Sequence, residues 1–77
     1  MNNKNEYLQT KDAVKRMKEY RKEYKLMIKK IELAIESGLI RRDLDEFKRL
    51  LKETQKNLKE CEEDILYWQD WLKQHTH

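Results

Sequence analysis

Five aliphatic side chains recur at intervals of seven in the second half of this chain: Leu44, Leu51, Leu58, Ile65 and Leu72. Three residues beyond each stand Phe47, Thr54, Cys61, Trp68 and His75. Seven residues make two turns of an α-helix, so both sets fall on one stripe. In a strand, with its period of two, an odd interval would throw alternate members to opposite faces. The repeat therefore calls for a long helix with another helix lying against its stripe.

The first half keeps the same beat less strictly. With Tyr7, Val14, Arg21, Ile28 and Ile35 as positions a, positions d are Thr10, Met17, Tyr24, Ile31 and Gly38. Positions g add Ala13, Tyr20, Met27 and Ala34, widening the apolar stripe beyond a strict two-stranded seam. A wider stripe suits a bundle.

Between the halves lies the one glycine, Gly38, and the chain has no proline. Ser37-Gly38 reads as a helix end, because glycine adopts the left-handed conformation without a Cβ clash. Leu39 or Ile40 is then placed to pack back on the last turn. Asp43, with Glu46 three residues later, has the spacing of a capping box, and Asp43, Asp45 and Glu46 suit the positive end of a helix dipole. The pattern predicts an all-α fold, an antiparallel two-helix hairpin in one domain over 1–77. Its helices run near 4–37 and 43–74 with a corner at 38–42, each about 50 Å long at ~1.5 Å per residue.

Folding at the corner pairs Ile35 with Leu44, Ile28 with Leu51, Arg21 with Leu58, Val14 with Ile65 and Tyr7 with Leu72. Four of these five layers are apolar. The exception, Arg21, is expected to lay its stem across the seam and reach Glu60 or Glu62. So small a hairpin buries little, and no second cysteine is present for a disulfide. Two copies meeting through the g side would complete a four-helix bundle, making a homodimer the expected state.

Charged residues make up 43% of the chain, for a net +3, and they are unevenly placed. Residues 1–38 hold ten Lys/Arg against six Asp/Glu, whereas 39–77 hold eight against nine. The hairpin sets the basic run of the first helix alongside Glu60, Glu62, Glu63 and Asp64 of the second. Much of the asymmetry is then expected to be neutralised internally.

Several function classes find no support. The N-terminus lacks the apolar run of a secretory signal. Apolar stretches such as Leu26-Met27-Ile28 are far short of the roughly 20 residues of a membrane span. These features lead to an expected cytoplasmic location, in a host cytoplasm if the chain is phage-encoded. Cys61 falls on the seam with no histidine beside it, the terminal His75 and His77 lack a third ligand, and the clustered acids point in several directions around the helix. No catalytic group, metal or cofactor is assigned.

Three surface groups remain as candidates. The open end gathers Leu66, Tyr67 and Trp71 with Tyr7 and Leu8 opposite, and exposed aromatics are favoured anchors for another protein. Leu26 and Leu33, in line with Ile40, lie on the face away from the seam. Lys15, Lys18, Lys22, Lys25 and Lys29, with Tyr20 and Tyr24 interleaved, could track the phosphates of a nucleic acid.

Small helical hairpins that dephosphorylate sporulation regulators resemble this chain in size and architecture. Their Ser-Gln-Glu-Leu-Asp signature after the corner corresponds here to Arg41-Arg42-Asp43-Leu44-Asp45, which shares only Leu-Asp. The resemblance stops at topology and carries no activity over. The expected function is a non-enzymatic protein-interaction module, for instance a small phage or mobile-element inhibitor or regulator of a host protein. The alternatives are a nucleic-acid-binding accessory and a structural subunit of a larger helical assembly.

Overall fold

The computed structural model describes residues 3–38 and 40–75. Two α-helices, α1 (Asn3–Ser37) and α2 (Leu44–Gln74), account for nearly all of them. The expected packing of Leu39 and the expected role of His77 lie outside the described residues.

The helices pack as an antiparallel hairpin, a rod of 58 × 15 × 14 Å. Two contacts fix the direction: Cys61 meets Met17, while Thr54, seven residues earlier, meets Met27, ten residues later. Described a and d positions of α1 are buried or half-buried except Gly38, and those of α2 except His75. The heptad reading thus locates the seam. Val14, Ile31 and Ile65 are its fully buried apolar side chains, and Thr54 its buried polar one. The Thr54 hydroxyl donates to the Leu50 carbonyl 2.7 Å away, so its burial leaves no polar atom unsatisfied.

Gly38 ends α1 as expected, with φ +72° and its N–H on the Ile35 carbonyl at 3.3 Å. The Ser37 hydroxyl donates to the Ala34 carbonyl at 2.8 Å, satisfying another group at the helix end. The start of α2 differs from expectation. Asp43 sits at φ −104°, ψ 19° and makes no side-chain cap; the helix opens instead on the Phe47 N–H to the Asp43 carbonyl, 2.9 Å. Side-chain capping generally uses an extended N-cap backbone. The turn at residues 42–43 holds Asp43 elsewhere, so the capping box does not form.

Candidate functional site

Heptad position decides what each flank of the hairpin presents. In an antiparallel pair the e positions of both helices border one side of the seam and the g positions the other, with b and c behind them respectively. The surface grooves follow this division. One holds Lys11, Lys15 and Lys18 of α1 beside Gln69 and Leu72 of α2. Another, on the opposite flank, holds Tyr20 and Tyr24 beside Asn57, Glu60 and Asp64.

The e/b flank is a lysine face. From α1 it carries Lys4, Lys11, Lys15, Lys18, Lys22, Lys25 and Lys29; from α2, Lys48, Lys52, Lys59 and Lys73. All eleven are exposed. Four carboxylates share the flank, and Glu32, Glu36 and Asp45 lie toward the corner, leaving Glu62 alone in the middle. The g/c flank has the opposite character. It carries Glu6, Glu23, Glu46, Glu53, Glu60 and Asp64 against Arg16 and Lys30. Tyr20, Met27 and Leu50 are exposed on it.

This arrangement overturns the expectation that the basic run is neutralised inside the hairpin. Of the acidic cluster only Glu62 shares the lysine side, because successive residues turn by ~100° around a helix. Among the described residues the one ion pair is Arg16–Asp12, 3.2 Å, within a single turn of α1 and with both side chains largely exposed. Arg21 does not reach Glu60 or Glu62. It borders a groove lined by Lys15, Lys18, Lys22 and Lys25 with Glu19 as the one carboxylate, so its surroundings are predominantly positive.

The open-end candidates do not form one site. Tyr67 and Trp71 project on the g/c flank, whereas Leu8 and Leu66 fall on the lysine side and Tyr7 in the seam. Leu66 and Tyr67 are 68% and 64% exposed, as expected of outward residues. Trp71 is half-buried. His75 folds back over it, ring centroids 3.9 Å apart and nearly parallel, with His75 Nδ1 2.8 Å from the Trp71 carbonyl. Trp68 takes Tyr67 and Trp71 edge-on at 5.0 and 6.1 Å, making a short aromatic ladder along α2. Leu26 and Leu33 are exposed at f positions, but Ile40 lies half-buried in the corner and does not continue their line.

Tyr20 and Tyr24 do not interleave with the lysines, since both line the opposite groove. Sequence reading also missed the α2 lysines and exposed Leu50. Carrying the heptad letters of one helix across to the other would have found them.

Cys61 is half-buried, with its thiol donating to the Met17 carbonyl at 3.2 Å. Burial pushes this thiol up; Arg21 opposes the rise, and Asp64 and Glu62 add to it. The thiolate needed for nucleophilic chemistry is therefore disfavoured. Among the described residues no three His, Cys, Asp or Glu converge to hold a metal ion, and no helix is long and apolar enough to cross a membrane. No family model, curated protein or solved structure matches this chain.

Proposed function

We propose that this chain is a non-enzymatic protein-interaction module whose docking surface is the acidic, apolar g/c flank, and that a second copy is its first occupant. One observation carries the reading: among the described residues only three apolar side chains are buried, while Tyr20, Met27 and Leu50 remain 53%, 44% and 42% exposed along a single flank. Ala13 and Ala34 on the same line are small enough for a neighbouring helix to approach closely. Covering this stripe with a second hairpin makes a four-helix bundle, the usual remedy for so thin a core. Such a module has no chemistry of its own; it regulates by occluding a surface, and Tyr67 and Trp71 at the rim suit contact with a further protein.

Charge sets a condition on the pairing. Six carboxylates against two cations oppose two copies of this flank, so the dimer is expected to tighten as salt screens them. The test is solution mass by light scattering over a tenfold concentration range at ~50 and ~500 mM salt. Support would be a two-chain mass that is favoured by salt and lost in Tyr20→Glu/Met27→Glu. A single-chain mass throughout would reject self-pairing and leave the flank to another protein with a Lys- or Arg-rimmed apolar helix.

A further inference from the structure

We infer that the lysine face is a binding surface for the phosphate backbone of double-stranded nucleic acid, separate from the docking flank. The placement of charge argues for it first. Lys11, Lys15, Lys18, Lys22, Lys25 and Lys29 follow one another at spacings of three and four, so each stands beside the next on the helix surface. Like charges at that spacing destabilise a helix, and among the described residues no carboxylate pairs with any of these lysines. Asp12, Glu19 and Glu23 border the same grooves without an ion pair to any of these lysines, so the repulsion is only partly offset. An external polyanion would offset the rest.

The shape and chemistry of the face select the polyanion. The stripe is straight and extends ~27 Å at 1.5 Å per residue. Along it a duplex presents one negative charge per ~1.7 Å of its axis. The lysines are point charges on flexible stems and suit phosphates without reading bases. Single-stranded binding relies on aromatic stacking platforms, and Tyr20 and Tyr24 lie on the other flank. An anionic membrane surface would favour a continuous apolar stripe beneath the charges, whereas among the described residues this face has Leu8 and Leu66 near one end and Leu26 at its edge beside Lys22, Lys25 and Lys29.

The experiment is fluorescence anisotropy of a labelled 24-base-pair duplex with the full chain, as DNA and as RNA, in two unrelated sequences, alongside a single strand and vesicles of anionic lipid. Contact with about five phosphates predicts a roughly 500-fold loss of affinity between 50 and 200 mM salt. The two duplex sequences are expected to bind alike. The quadruple variant Lys15→Gln/Lys18→Gln/Lys22→Gln/Lys25→Gln should lose binding while its helical circular dichroism is retained. Glu53→Gln/Glu60→Gln, on the other flank, should bind at least as well as the parent. Binding that survives the lysine variant, a clear preference for single strand or vesicles, or no duplex binding at 50 mM salt would each overturn the proposal. DNA and RNA binding equally supports recognition of phosphate alone; preference for one supports duplex recognition that also reads groove geometry. Because self-pairing is expected to strengthen with salt and duplex binding to weaken, either reading can fail without the other.

Discussion

The thiol of Cys61 donates to the backbone carbonyl of Met17, 3.2 Å away across the seam. The bond ties the middle of α2 to the backbone of α1 and holds the sulfur in its protonated form. A thiol whose folded value is raised contributes full stability below the ordinary thiol range. Above it the unfolded chain ionises first, and the contribution falls as pH rises through the folded value. Urea unfolding of the parent and of Cys61→Ala should therefore differ by about 1 kcal/mol at neutral pH. That margin should shrink at alkaline pH. A margin that grows with pH would contradict the raised thiol.

Ile65 is 2% exposed and Leu33 65%, although both are branched aliphatics on a helix. Ile65→Ala is expected to cost about 2–5 kcal/mol, the range for truncation in a packed core. Leu33→Ala should stay within about 0.5 kcal/mol. Chemical denaturation at one fixed protein concentration separates them. Comparable losses would mean that the outer face of α1 is covered in solution.

Gly38 stands at φ +72° with open space where a Cβ would sit, so its constraint is backbone conformation alone. Gly38→Ala should lower stability by about 1–2 kcal/mol. Gly38→Asn should recover part of the loss, since asparagine tolerates that region better. Thermal unfolding followed by circular dichroism would show the ranking.

Arg21 occupies a half-buried a position, with Lys15, Lys18, Lys22 and Lys25 and one carboxylate residue, Glu19, around its open side. Replacing it with leucine extends the apolar column and removes one charge from a crowded field. Arg21→Leu should raise stability by about 1 kcal/mol. The urea midpoint is the readout, and a lowered midpoint would show that the arginine is compensated in a way its surroundings do not reveal.

Much of this was legible before any coordinates. The Leu44 to Leu72 column, the weaker column of α1 and the lone glycine were enough to place both helices, the corner and the stripe each helix turns to the seam. Each is a local pattern repeated many times, so single exceptions such as Arg21 or Thr54 do not disturb it. Asp43 was misread because a capping box depends on the backbone angles of one residue, and neighbouring turn geometry decided those. Trp71 was read as a free flank residue because nothing in the spacing announces that His75, one turn on, stacks over it.

By itself, then, the sequence determined an antiparallel pair of long helices, because a seven-residue apolar repeat admits few other solutions. The tertiary structure decided which charges share a side. Glu60 and Glu62 are two residues apart, yet two steps of ~100° put them on opposite flanks. Lysines distant in sequence, Lys18 and Lys59 among them, meet on one face only because the hairpin folds back with its e positions together. Electrostatic energy depends on distance through space, and the pairing of the helices sets that distance.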